Sequence, residues 1–321
     1  MKIIRLIKRF NKTLETNLGR KPKINEYAKH IFWGVFDYIV FGATVTDHFE
    51  LTMINKSLSE KKEYMTWRLA KRFIFLADNA EVIDKYRKNK KVMCKRLKKY
   101  LNREILFLDE CTEEEKNNFI KQQKKFLYKP NNQSCGIGIR LLYSHETTEN
   151  LDLMFKVGGI FEELIVQHHE MSKLNLFSVN TIRIFTLKAG KNIKFIGAAL
   201  RIGSGKDIID NYSAGGLVCA IDLKDGHVMG PTEDMYGRRS ETTNSGFNVM
   251  DFKIPKWNEV IAFVTKMAED FELNYVAWDI AICEDGCKLI EANPRGMVNV
   301  IQIAGNGGKR KLYEKLTELL I

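Results

Sequence analysis

The stretch VAWDIAICEDGCKLIEANPRG, Val276 to Gly296, reads as a β-hairpin with oxygen ligands at its base. Ala277–Cys283 and Lys288–Asn293 are short apolar runs on either side of Glu284-Asp285-Gly286, where glycine suits the left-handed position of a three-residue loop. That loop predicts Cys283 opposite Cys287 and, counting back, Asp279 opposite Glu291. Side chains alternate with period two, so Asn293 shares the face of Glu291. Two carboxylates and an amide oxygen then converge, a donor set that suits Mg²⁺, which takes hard oxygen ligands and keeps positions for phosphates. The simpler alternative is an ordinary hairpin whose charges point to water.

The 321 residues around this hairpin suffice for several domains and a sizeable core. The formal net charge is +11, much of the excess lying before Pro130. Such a balance implies acidic partners: nucleic acid, anionic lipid, or an anionic glycan or metabolite. Neither an aromatic-rich RNA-binding signature nor Cys/His finger spacing is present, so no specific nucleic-acid partner is expected. Cys94, Cys111, Cys135, Cys219, Cys283 and Cys287 are scattered with no secretory signal ahead of them, which points to a reduced, cytoplasmic protein. Cys283 and Cys287, facing each other in the expected hairpin, read as small apolar fillers.

At the N-terminus Ile3, Ile4, Ile7 and Phe10 alternate with Lys2, Arg5, Lys8, Arg9 and Lys12. This pattern predicts an amphipathic helix docked on its own domain; the alternative is weak contact of residues 1–14 with the inner face of a membrane. Ile31–Val45 is the most apolar run, but it is too short to span a bilayer and contains Asp37.

Helical periodicity dominates to about Leu101, and from Phe126 onward short β-type runs alternate with Gly-rich loops. The expected fold class is therefore α+β. Residues 1–101 form a mainly helical N-terminal region, 102–166 a small α/β lobe and 167–321 a larger C-terminal lobe. Phe126–Lys129 is a strand ending in lysine, followed by Asn131-Asn132-Gln133-Ser134-Cys135-Gly136-Ile137-Gly138. Backbone N–H groups of such a loop can bind phosphate oxygens, with Lys129 adding a point charge, although Gly-x-Gly in a hairpin is also ordinary turn chemistry. Gly305–Lys309 lacks phosphate-loop spacing, and no kinase or nucleophile-elbow motif exists. His168-His169 is not spaced as a helical metal pair and reads as a loop feature.

The order of these pieces resembles the ATP-grasp superfamily, in which two α/β lobes clasp ATP. A closer resemblance, to the sugar-transfer-associated ATP-grasp proteins of polysaccharide biosynthesis, rests on QHHEMSKLNLFSVNTIRIFT (Gln167–Thr186), ALRIGSGKDIIDNYSAGG (Ala199–Gly216) and IEANPRGM (Ile290–Met297). The resemblance implies ATP and Mg²⁺ as cofactors. Lys129 matches the strand lysine that contacts ATP phosphates, and Ser134, Gly136 and Gly138 lie in the loop that folds over them. Lys90 matches an earlier phosphate-contacting lysine, with Lys91 as a competitor. Glu162, Glu163, Leu164 and Ile165 match the inter-lobe segment that meets adenine, and Glu170 or His169 falls near the ribose. Asp279, Glu291 and Asn293 match the metal ligands. Arg183 and Arg201 resemble arginines that hold the γ-phosphate or the acceptor; their alternative is a structural pairing with carboxylates. The helical front end departs from the βαβ start of better-known superfamily ligases, so no acceptor site is carried over.

The implied function is a Mg-ATP-dependent, ADP-forming ligase. It would activate a carboxylate as an acylphosphate and join it to an amine or another nucleophile during modification of a surface or capsular polysaccharide. The expected partners are ATP, a small carboxylate, and an amine or an anionic glycan acceptor. The alternatives are a phosphotransferase acting on a sugar or glycan hydroxyl, and a nucleotide-sensing component of glycan assembly with no activity of its own.

Overall fold

The computed structural model describes residues 2–131, 138–145, 154, 156–205, 215–304 and 306–320, with backbone alone for residues 2–6 and 9. The front end is helical, as its periodicity predicts: α1 (Lys2–Leu18), α2 (Ile24–Phe41), α3 (Val45–Glu50), α4 (Leu58–Lys61), α5 (Trp67–Ala77), α6 (Ala80–Lys88), α7 (Lys90–Arg96) and α8 (Lys98–Leu101). Thr44 caps α3 by accepting from the Asp47 N–H while the Asp47 carboxylate accepts from Thr44 N at 2.7 Å, a reciprocal capping box. No helix among the described residues is long and apolar enough to cross a membrane.

Two antiparallel sheets follow. The small sheet contains β1 (Ile105–Phe107), β2 (Lys125–Lys129), β3 (Arg140–Tyr143) and β4 (Ile160–Glu163) in the order β1-β4-β2-β3. Phe126, Tyr128 and Phe161 project from one face and pack with Phe119 of α9 (Glu113–Gln122) and with Leu108 and Leu142 into a core of their own. Alternation leaves Leu127, Lys129, Ile160 and Glu162 on the other face.

The large sheet runs β11-β10-β5-β6-β7-β8-β9. Its strands are β5 (Thr181–Ala189), β6 (Asn192–Ile202), β7 (Leu217–Ile221), β8 (Thr232–Glu233), β9 (Arg239–Ser240), β10 (Tyr275–Cys283) and β11 (Gly286–Asn293). The remaining helices are α10 (His169–Leu174), α11 (Trp257–Asp270) and α12 (Arg310–Thr317). Val260, Val264 and Met267 of α11 share a core with Ile184, Trp278, Ile280, Ile282 and Leu289 on one face of this sheet. Buried residues of the front helices belong to the same core, from Phe41 to Leu101. Phe73 of α5 meets the rings of Tyr275 (5.7 Å) and Tyr313 (4.8 Å), and the Asp78 carboxylate accepts from the N–H groups of Asn274 (2.7 Å) and Tyr275 (2.8 Å) where β10 begins. The front helices therefore buttress the strand that carries the candidate site.

The hairpin differs from its sequence reading in one instructive respect. Its loop is shorter, with Cys283 paired to Gly286 and Ile282 to Cys287, so the two cysteines do not oppose each other. Gly286 takes φ +128°, the positive region that glycine tolerates. The register then shifts between Ile280, paired with Leu289, and Asp279, paired with Glu291. Ile290 is the extra residue of a β-bulge, and the bulge restores the expected Asp279–Glu291 pairing. Without it, strict alternation would put Cys287 and Leu289 on the same face as Glu291 and Asn293, mixing core positions with the candidate ligand positions. With it, Cys287, Leu289 and Ala292 are buried while Glu291 and Asn293 are half-buried.

Candidate active site

On the face of the large sheet opposite α11, β10 presents Asp279 directly across from Arg183 of β5 and from Glu291 of β11. Asp279 is buried, and an unpaired carboxylate there would carry a heavy desolvation cost. Arg183 meets it in a fork, Nε to Oδ1 at 2.6 Å and Nη2 to Oδ2 at 2.5 Å, and Arg201 Nη1 reaches Oδ2 at 3.1 Å. Burial alone would push the Asp279 carboxyl up; the two guanidinium groups outweigh it and hold the group ionised, below the usual carboxylate range. Arg183 and Arg201 thus pair with a carboxylate, and that carboxylate belongs to the expected metal set.

Asn293 stands on the same face, its amide 3.3 Å from Asp279 Oδ2. Rotating that amide by half a turn would present Oδ1 at the same place. Lys90, in the first turn of α7, reaches toward Glu291, Nζ to Oε1 at 3.9 Å. The competing Lys91 is bound to Asp109 at 2.8 Å and to Glu110 at 2.5 Å. A hollow of about 380 Å³ beside α7 is lined by Lys88, Lys90, Lys91, Lys95, Asp109, Glu110 and Asn131, among others. It joins the lysine-rich helix to the start of the segment that follows β2.

The small sheet contributes a second charged cluster. Glu162 is buried, with Lys129 and Arg103 both bonded to its carboxylate, Arg103 Nε at 2.8 Å from Oε1. Burial raises the Glu162 carboxyl, but the two cations bring it down to about 2. Glu162 therefore points at Lys129 and Arg103. Glu163 accepts from the Glu104 N–H at 2.8 Å, and Leu164 and Ile165 continue past β4 half-buried. Gly159, just before β4, takes φ +139°, and a Cβ there would lie 2.7 Å from the Lys129 carbonyl oxygen. Only a glycine lets the chain pass this close to the end of β2. Gly138 (φ +77°) leads into β3, whereas Ser134 and Gly136 lie outside the described residues, as do 206–214 in the Gly-rich stretch after β6.

Arg103 is the residue that sequence reading missed. Its Nη1 donates to the Leu289 carbonyl at 2.5 Å while its other nitrogens hold Glu162, so one side chain ties the small sheet to β11. Asn102 adds a bond to the Cys287 carbonyl at 3.2 Å. The available signal was phase: Arg103 is two and four residues before Ile105 and Phe107, the β1 positions on the Glu162 face. Glu170 lies elsewhere, in the first turn of α10, paired with Lys173 (2.6 Å) and His169 (3.2 Å). His168 is more than a loop residue, since its Nδ1 caps α10 by accepting from Glu170 N at 3.2 Å. His169 Nδ1 and the hairpin-tip Glu284 meet at 2.7 Å, which places Glu170 near the tip of the hairpin.

The donor set suits a hard divalent cation: two carboxylates and an amide oxygen on adjacent strands, with Glu291 accessible and Asp279 already ionised. The guanidinium groups on Asp279 would repel a bare cation, so the fit requires anionic oxygens between them, as a polyphosphate provides.

A family model described as sugar-transfer associated ATP-grasp matches residues 142–318. Among solved structures, the ATP-grasp ligase PsnB complexed with minimal precursor, Mg and ADP is similar at 13 % identity and TM-score 0.45, over 75 % of this chain and 61 % of that one. The macrocyclase MdnC bound with precursor peptide MdnA from Microcystis aeruginosa MRC is similar at 15 % identity and TM-score 0.41, over 76 % and 62 %. N5-carboxyaminoimidazole synthetase from Staphylococcus aureus complexed with ADP is similar at 13 % identity and TM-score 0.41, over 66 % and 46 %. The chain thus spans less than two thirds of the length of each of these structures. No curated protein matches the sequence. The family match covers more than half of the 321 residues, and the chain belongs to the sugar-transfer-associated ATP-grasp family.

Proposed function

We propose that this protein is an ADP-forming ligase that uses ATP and Mg²⁺ to activate a carboxylate and pass it to an amine or another nucleophile on a sugar or glycan. The observation that carries the reading is the convergence of Asp279, Glu291 and Asn293 on one sheet face, clamped by Arg183 and Arg201 and approached by Lys90. Asp279, Glu291 and Asn293 would hold the metal, whose chemistry is to neutralise phosphate oxygens as charge shifts during phosphoryl transfer.

The chain's own residues meet the remaining demands. A carboxylate and a triphosphate repel each other, so cations must sit where both arrive. Arg183 and Arg201 are anchored on central strands, and both can exchange part of their contact with Asp279 for phosphate or acceptor oxygens. Glu162 and Arg103 hold Lys129 at the end of β2, where its charge meets phosphates without a search through rotamers. Lys90 adds a further cation beside Glu291. The segment after Lys129 would cover the phosphates and keep water from the activated acyl group. Adenine would lie along Glu163–Ile165. The family description is what supports a sugar acceptor, and the net charge of +11 suits an anionic glycan.

The test is ADP release with Mg-ATP across panels of sugar acids, amino acids and amines, with mass analysis of the products and hydroxylamine as a trap. A hydroxamate supports acyl activation. A stable phosphorylated sugar without hydroxamate replaces the ligase with a phosphotransferase, and tight ATP binding without turnover in any panel removes the enzyme reading.

A further inference from the structure

Helix α2 is apolar on both sides, with Phe41 in the core and Phe36 packed against it. Beyond Glu26 its one carboxylate is Asp37, and Asp37 points into the protein, held by Lys61 Nζ at 2.7 Å and His48 Nδ1 at 3.0 Å. The outward side carries Ile31, Phe32, Val35, Tyr38 and Ile39, spaced three and four apart along one stripe. Phe32 is 64 % exposed, Val35 53 % and Ile39 71 %. A helix packed on a globular protein normally turns charge, not a second apolar stripe, to the outside. Scattered apolar residues on a surface need no explanation, but a continuous stripe marks a contact face. Helix α5 extends it: the Arg68 guanidinium lies 5.0 Å from the centre of the Tyr38 ring, and Phe75 is exposed two turns further on.

The rim of this strip is cationic. Lys29, Arg68, Lys71 and Arg72 are exposed, and α5 contains no carboxylate. Glu26 is bonded to Arg20 at 2.6 Å, and no exposed carboxylate occurs between residues 27 and 41. Helix α1 packs alongside through Phe10, which meets the rings of Tyr27 and Phe49, and the α1 sequence carries five cations and one glutamate. A second copy of the chain would bring like charges face to face across such a patch. An anionic bilayer matches both features, because apolar side chains enter the acyl boundary while lysines and arginines meet the lipid phosphates.

We propose that the face formed by α2 and α5 docks flat on an anionic membrane surface, with Phe32, Val35 and Ile39 buried in it and Lys29, Arg68, Lys71 and Arg72 at the headgroup level. Phe75, at the far end of this surface, meets Arg295, two residues after Asn293, with the guanidinium 5.7 Å from its ring centre, and the proposal does not depend on the ligase reading. The test is co-sedimentation of the full chain with phosphatidylcholine vesicles, with and without phosphatidylserine. Binding should require phosphatidylserine and weaken with salt. Phe32→Glu with Ile39→Glu should abolish it, and Lys71→Ala with Arg72→Ala should weaken it roughly thirtyfold. Both variants replace exposed side chains, so thermal unfolding and ATP binding should stay as in the parent; if the first pair does not fold, the second decides. Absence of sedimentation with anionic vesicles, or equal binding by parent and variants, overturns the proposal. So does a concentration-dependent dimer that Phe32→Glu with Ile39→Glu dissolves, since the face would then join copies of the chain.

Discussion

Replacing Glu162 by glutamine should destabilise the protein by about 3 kcal/mol at neutral pH, and the deficit should shrink on acidification. Glu162 is buried between Lys129 and Arg103, and the Arg103 side chain is buried as well. The cations hold its carboxyl at about 2, against an ordinary 4.5. At about 1.4 kcal/mol per pH unit that displacement amounts to about 3 kcal/mol. Removing one partner from a buried ion pair costs about 3–5 kcal/mol, which is consistent. The folded value lies below the unfolded one, so the contribution is complete above about pH 4.5 and is lost as pH falls through about 2. Urea unfolding of parent and Glu162→Gln, from neutral pH down to the lowest pH at which both remain folded, measures the difference. It should be flat near neutrality and narrow below about 4.5. A deficit under about 1 kcal/mol at neutral pH, or one indifferent to acid, refutes the idea that Glu162 is the anion joining Lys129 and Arg103.

Deleting Ile290 removes the bulge and turns either the buried residues or Glu291 and Asn293 to the wrong face; both Mg-dependent ADP release and melting temperature should fall, and retained activity would show that the bulge does not set the ligands. Glu291→Ala or Asn293→Ala should abolish Mg-dependent turnover while stability to urea changes by about 1 kcal/mol or less, because neither side chain is fully buried; full activity in either removes it from the metal set. Lys129→Ala should weaken ATP binding about tenfold or more, the scale of a lost charge-assisted hydrogen bond, as read by calorimetry; unchanged affinity counts against phosphate contact at the end of β2. Gly296→Ala would set a Cβ 2.3 Å from that of Ala277 beneath the site, costing about 1–3 kcal/mol in chemical unfolding; a neutral result would mean that the turn after β11 relaxes freely.

Much of the hairpin was legible because its signals are local. Period-two alternation and a glycine near the turn predict two strands and the Asp279–Glu291 pairing, and the structure has both. The loop length was not legible. Two opposite errors, one residue too many in the loop and an unseen bulge, cancel at Asp279, and only the burial of Leu289 and Ala292 on one face separates them. Lys129 could be placed at a strand end by its neighbours, but its partner Arg103 is 26 residues earlier in the chain and meets it only through Glu162. Helix α2 shows the same limit: its apolar run was plain, yet which side faces out depends on Asp37 finding Lys61 and His48.

The sequence by itself determined the helical front, the two β-rich segments, the donor types on the terminal hairpin and the family. Those follow from periodicity, turn chemistry and short motifs, which act over a few residues. Tertiary structure alone decided that Arg183 and Arg201 converge on Asp279, that Arg103 bridges the small sheet to β11, and that α2 leaves a second apolar stripe exposed. The reason is the cost of burying charge. A carboxylate such as Asp279, Glu162 or Asp37 enters the interior only with cations from distant strands and helices around it, and no local pattern says which cations those will be.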